Sequence, residues 1–123
     1  MTDLAFLGLA DAAEMIRARK LSPVEYTQAL LDRTAKLDAR YHAYIRPTPD
    51  LALAAARQAE GEIMAGRCKG PLHGVPFALK DIIDFAGLPT TGHSKVLSDN
   101  VAATDATVTA RRWRTRGWRA CPS

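Results

Sequence analysis

Gly70-Pro71-Leu72-His73-Gly74-Val75-Pro76-Phe77-Ala78-Leu79-Lys80-Asp81 decides how the rest of the chain is read. Its lead-in carries two glycines and two prolines. Glycine opens backbone conformations closed to other residues, and proline fixes φ and removes a donor, so the lead-in predicts turns. A short predicted strand follows. Val75, Phe77 and Leu79 share one face of it, and Pro76, Ala78 and Lys80 share the other. A lysine therefore stands on the small-residue face of an apolar segment, with room beside it.

The chain has 123 residues, enough for one domain with a core. Its composition, 47% hydrophobic and 24% charged, is that of a soluble globular protein. No apolar run approaches the ~20 residues that span a bilayer, which argues against a membrane role. Met1-Thr2-Asp3 does not open a signal peptide. Cys68 and Cys121 have neither disulfide nor metal spacing, and the reading is free thiols in a reducing cytoplasm. The formal charge of +4 is uneven: residues 111–123 hold five arginines and no acid. Removing those five charges leaves residues 1–110 at −1, so any basic partner argument belongs to the tail.

Along the chain, Leu9, Ala12, Ala13 and Ile16 fall at helical spacing, with Arg17, Arg19 and Lys20 at the basic end. Ser22-Pro23-Val24-Glu25 predicts a second helix, with Ser as cap, Pro first and Glu three residues after the cap. It is expected to run to about Asp38, with Thr27, Leu30, Leu31, Thr34 and Leu37 inward. Tyr41 to Arg46 reads as a short strand or extended link, stopped by Pro47 and Pro49. A third helix is expected from Asp50 to about Ala65, with Ala52, Ala56, Ala59 and Ile63 in one stripe and Gly66 as its stop. Gly87 to Gly92 is a turn or loop. Asp105 is expected to cap a helix from Ala106 through Val108 and Ala110. Beyond it the apolar periodicity fails among arginines and both tryptophans of the chain.

Two readings of Lys80 stand on spacing alone. One is a strand-end lysine that carries its amine to water. The other is a base, which requires burial, because a free lysine titrates near ~10.4. His73 and His93 lack metal spacing, so no metal and no cofactor are assigned, and His73 is expected to make a local hydrogen bond in its turn. Gly92-His93-Ser94 begins like a nucleophile elbow but continues Lys95-Val96, so Ser94 reads as a loop residue. No glycine-rich phosphate loop occurs. The Arg/Trp tail has the charge and aromatics of a nucleic-acid or membrane binder, but the favoured reading is a non-native or disordered end.

The lysine stretch, then Asp84 and Ala86-Gly87-Leu88-Pro89-Thr90-Thr91-Gly92, resembles the N-terminal lysine segment of the amidase signature family. The likeness extends back to Ser22-Pro23-Val24-Glu25 and forward to Ala103-Thr104-Asp105-Ala106-Thr107-Val108, about residues 5–110. It implies an α/β fold, the N-terminal portion of an α/β/α domain with an incomplete sheet, in which helices precede a short strand carrying Lys80. It implies hydrolysis of a carboxylic amide by a Ser–cis-Ser–Lys triad, in which Lys80 matches the lysine. Both triad serines and the oxyanion donors lie, in the family, in a glycine- and serine-rich loop that has no counterpart here. The expectation is thus a truncated amidase, residues 1–110, inactive alone, whose full-length kin take small-molecule amides. The alternatives are a piece of the glutaminase subunit of a tRNA-dependent amidotransferase, or a non-catalytic binding module that self-associates through exposed apolar faces. Residues 111–123 form the atypical tail, whose Arg, Trp and Gly are what a frameshift in GC-rich coding DNA produces.

Overall fold

The computed structural model describes residues 3–114. They fall into two compact units, which meet in sequence between Pro76 and Phe77.

The first unit is helical. Helix α1 spans Leu9–Arg17, α2 Pro23–Tyr41 and α3 Pro49–Met64, after a 3-10 turn at Leu4–Phe6. Helix α2 starts where the sequence predicts. The Ser22 hydroxyl accepts from the amides of Val24 (3.1 Å) and Glu25 (3.2 Å), and it donates to Glu60 on α3. One side chain thus caps one helix and ties it to the next. The core of this unit is Ala12, Ala13, Ile16, Leu21, Tyr26, Ile63 and Val75, with Leu4, Leu7, Met15, Leu30 and Leu72 packed against it. Thr27 is buried as expected, while Leu30, Leu31, Thr34 and Leu37 are half-buried and Leu9 is exposed. Ala56, Ala59 and Ile63 form the buried stripe of α3, with Ala52 half-buried.

Tyr41 to Arg46 is not a strand. Helix α2 runs through Tyr41, and His42 takes a left-handed cap (φ 51°) with its amide on the Asp38 carbonyl at 2.7 Å. The Asp38 carboxylate then accepts from Ala43 (2.7 Å) and Tyr44 (3.1 Å). These local bonds satisfy the amides that a strand would have offered to a neighbour.

The second unit, described over residues 77–114, is built from turns. A 3-10 turn covers Lys95–Leu97, a short helical segment α4 covers Thr107–Thr109, and a π-helical turn covers Ala110–Arg114. Segments 87–90 and 100–102 run antiparallel, joined by Gly87 to Ala102 (2.9 Å), Ala102 to Leu88 (3.0 Å) and Thr90 to Asn100 (2.9 Å). The pairing amounts to one isolated bridge, Pro89 with Val101. Trp113 sets its ring edge-on to Phe77 (6.0 Å) and Phe85 (5.2 Å), the aromatic centre of this unit.

The predicted strand carrying Lys80 does not form among the described residues. Its alternation survives in part as burial: Val75 is buried and Phe77 and Leu79 are half-buried, and Ala78 and Lys80 are exposed, but Pro76 on the outward face is half-buried as well. A strand exists through a ladder partner, and among the described residues no strand ladder forms along this segment. The backbone instead turns, the Ile83 amide bonding the Lys80 carbonyl at 3.0 Å. The helix expected from Ala106 through Ala110 forms as three α-helical residues, Thr107–Thr109, that continue directly into the π-helical turn Ala110–Arg114. Its N-cap residue is Ala106, and Asp105 directs its carboxylate to the Ala86 amide. Ile82, Val96, Val101 and Val108 are exposed apolar residues of this unit. Among the described residues no helix is long and apolar enough to cross a membrane.

Candidate functional site

The Gly70–Pro76 half of the motif belongs to the first unit and is fixed by packing and by one histidine. Gly74 has φ +86°, and a Cβ there would lie 2.9 Å from Pro23 Cγ, 3.2 Å from Ile16 Cγ2 and 3.3 Å from Ile63 Cδ1. Side chains from three helices converge on that position, so both its backbone and its space demand glycine. His73 Nδ1 accepts the Lys69 amide at 3.1 Å, and Nε2 lies 3.0 Å from a Glu62 carboxylate oxygen on α3. This geometry fits an imidazole with its proton on Nε2. The same Glu62 carboxylate receives the Lys69 ammonium. The expected local bond of His73 is there, and the tie to α3 is an addition that spacing did not show.

The Lys80 half belongs to the second unit and is fixed by aspartates. Lys80 is exposed and makes no ion pair among the described residues. Asp81 beside it is a hub. Its Oδ1 accepts the Thr91 amide at 2.9 Å. Its Oδ2 accepts the Thr91 hydroxyl and the His93 amide, the latter at 3.3 Å. Its carbonyl accepts the Gly92 amide at 2.8 Å. The donated hydrogen bonds from Thr91, first the hydroxyl and then the amide, hold the Asp81 carboxyl below its ordinary value of 3.8. Asp84 contributes through its carbonyl, which accepts the Thr109 hydroxyl (2.7 Å) and the Ala106 amide (3.0 Å). Asp105 closes the set by accepting the Ala86 amide at 2.7 Å. Ser94 caps the turn at Lys95–Leu97, accepting from Val96 at 3.3 Å, and is a loop residue as read. Cys68 is a free thiol 3.4 Å from the Gly70 carbonyl, and Cys121 lies outside the described residues.

Residues 25–116 match the family model described as Amidase. The chain belongs to the Amidase family.

Members of this family hydrolyse amides, and the chain is similar to several. It is 42% identical over 117 residues to a glutamyl-tRNA(Gln) amidotransferase subunit of Salinispora tropica, covering 95% of this chain and 24% of that protein. It is 45% identical over 116 residues to the corresponding subunit from Mycolicibacterium vanbaalenii, covering 90% of this chain and 23% of the relative. Among solved structures it superimposes on native peptide amidase from Stenotrophomonas maltophilia with a TM-score of 0.80 and 38% identity, over 92% of this chain and 23% of that one. A peptide amidase bound to the competitive inhibitor chymostatin gives a TM-score of 0.82 at 37% identity, over 94% of this chain and 24% of that one. The chain spans about a quarter of the length of these relatives.

Within this Amidase-family segment, sequence reasoning singled out Lys80, His73 and Ser94, gave Asp105 the role of a helix cap, and missed the tie of Asp81 to Thr91 and that of His73 to Glu62. The signal for Asp81 was present, since it adjoins Lys80 and the Pro89-Thr90-Thr91-Gly92 turn supplies donors. Pairing them required the fold of the loop that brings residues 81 and 91 together.

Proposed function

We propose that this chain is the lysine-bearing segment of an amide hydrolase, and that Lys80 is the base of a Ser–Ser–Lys triad. The observation that carries this reading is Lys80 itself. It occupies the lysine position of the Gly70–Asp81 motif, inside the 25–116 family match, on a turn held from both sides. In this role the neutral amine takes a proton from a bridging serine. That serine takes the proton of the nucleophilic serine, whose Oγ bonds the amide carbon as an acyl-enzyme forms and the amine leaves. Water then releases the acyl group. None of the serines Ser22, Ser94, Ser98 and Ser123 matches either serine role, so the isolated chain is expected to have no nucleophile. The Lys80 amine also needs burial that the described residues do not supply. The test is an amide-hydrolysis assay on the purified chain and on Lys80→Ala. No turnover dependent on Lys80 is expected, and such turnover would overturn the claim that the segment lacks its nucleophile.

Identity favours a second reading within the same chemistry. The relatives at 42% and 45% identity are amidotransferase subunits, whereas the superimposed structures at 37% and 38% are peptide amidases. A glutaminase subunit in the cytoplasm that hands ammonia onward fits the former. We also propose residues 1–110 as the family segment proper and residues 111–123 as a shifted reading frame. Trp113 lies among the described residues and 115–123 outside them. Translating the DNA after codon 110 in the other frames should restore a helix and then a Gly/Ser-rich loop. If no frame does so, the frameshift idea fails. Ammonia release from glutamine, against release from a peptide amide, by the protein of the restored frame separates the two readings.

A further inference from the structure

We infer that Asp81 is the positioning residue for Lys80: its carboxylate and its carbonyl bind the Lys80–Ile83 turn to the Thr91–His93 turn and fix the backbone from which the lysine projects. The catalytic consequence rests on the reading of Lys80 as base, whereas the coupling itself does not.

Three observations carry it. First, both polar ends of Asp81 are engaged with the same partner segment: the carboxylate with Thr91 and His93, the carbonyl with Gly92. A residue held at its side chain and at its main chain has little freedom, and Lys80 is its covalent neighbour. On the other side, the Lys80 carbonyl is held by the Ile83 amide at 3.0 Å. Second, the receiving turn is shaped for the task. Gly92 and His93 both have left-handed φ, +56° and +58°, and the His93 amide is shared between Asp81 Oδ2 (3.3 Å) and the Thr91 hydroxyl (3.1 Å). A non-glycine residue holds such a φ only where its surroundings impose it. Third, the carboxylate is turned onto these donors, and Lys80 forms no ion pair with it. A carboxylate paired with the lysine would favour its ammonium form and oppose its use as a base. Donors from Thr91 and His93 stabilise the Asp81 charge instead. His93 adds a smaller electrostatic contribution to the carboxylate's ionisation, and Lys80 adjoins it in sequence. Fixing a base without pairing it is what a preorganised site requires.

The experiment is NMR on the isotopically labelled full chain as pH falls. The Thr91 and His93 amides and the Lys80 Cα are expected to move together in one acid transition with a midpoint below 3.8. Asp81→Asn should abolish that transition, shift the Lys80 Cα, and speed exchange of the Thr91, Gly92 and His93 amides at least about tenfold. Thr91→Val should raise the midpoint towards 3.8, and Thr91→Ser, which keeps the hydroxyl, should restore it. If Lys80 ignores a transition that Thr91 and His93 report, Asp81 is a loop staple and the inference is wrong. Absence of any transition in the unmodified chain would overturn it equally, and neither result depends on a variant that folds. None of these signals uses turnover. Activity that survives Lys80→Ala would sink the base reading and leave the coupling intact.

Discussion

The two units are held by different forces. The first closes an apolar core over Ile16, Tyr26 and Ile63, with Gly74 pressed among three helices. The second has two buried residues, Ala102 and Thr109, among those described, and is tied by Asp81, Asp84 and Asp105 through backbone and hydroxyl donors. Burial of apolar area is indifferent to pH, while hydrogen bonds onto carboxylates are not. The first unit also carries carboxylate contacts, at Asp38, Glu60 and Glu62, so the acid response specific to the lysine-bearing half is that of the Asp81 carboxyl, held below 3.8.

The largest expected effect strikes the first unit. Gly74→Ala adds a methyl where Pro23 Cγ is 2.9 Å away and keeps a residue at φ +86°. Backbone strain and overpacking together should cost about 3–5 kcal/mol. Urea unfolding followed by helical circular dichroism reads it directly, and a loss under about 1 kcal/mol would mean that the three-helix convergence is loose. Next comes Thr109→Val in the second unit. Thr109 is fully buried and its hydroxyl donates to the Asp84 carbonyl at 2.7 Å. Losing that bond should cost about 1–2 kcal/mol. The change should appear in Trp113 fluorescence, since its ring lies on Phe77 and Phe85, with the helical signal of the first unit untouched. Ile16→Val should remove about 1 kcal/mol from the first unit, with the converse pattern of signals. If each variant moved both signals equally, the division into two kinds of cohesion would be lost.

The pH dependence sharpens the same contrast with a smaller effect. The folded Asp81 carboxyl is depressed below 3.8, so its stabilisation is fully present above that value. It is lost as pH falls through the lower folded value. Acid titration should thus report through the Thr91 and His93 amides, which the Asp81 carboxylate holds, before the helical signal falls. A helical signal that fell first would reverse the assignment.

Much of the first unit was legible because its rules are local. Ser22-Pro23-Val24-Glu25 begins a helix through its own cap, and Ala56, Ala59 and Ile63 mark a stripe by spacing alone. For Tyr41–Arg46 the strand half of the reading fails and the link half holds from His42, because Asp38, behind it in sequence, already holds its amides. The strand through Lys80 was misread for a different reason. Alternation fixes which residues face inward, and it did so correctly for Val75, Phe77 and Leu79, but a ladder depends on residues elsewhere in the chain. For the site, the motif singles out Lys80 as the proposed base, whereas the bonds that hold its backbone were not legible. Asp81 and Thr91 are ten residues apart and meet only because the intervening loop turns back.

The most direct test of Lys80 uses the structural match itself. Residues 1–110 of this chain would replace the corresponding segment of the Stenotrophomonas maltophilia peptide amidase, on which the chain superimposes with a TM-score of 0.80. The account predicts that the chimera hydrolyses a peptide amide and that Lys80→Ala lowers kcat about 10²–10⁴-fold, the range for loss of a positioned base. A Lys80→Ala chimera as active as its parent would contradict it.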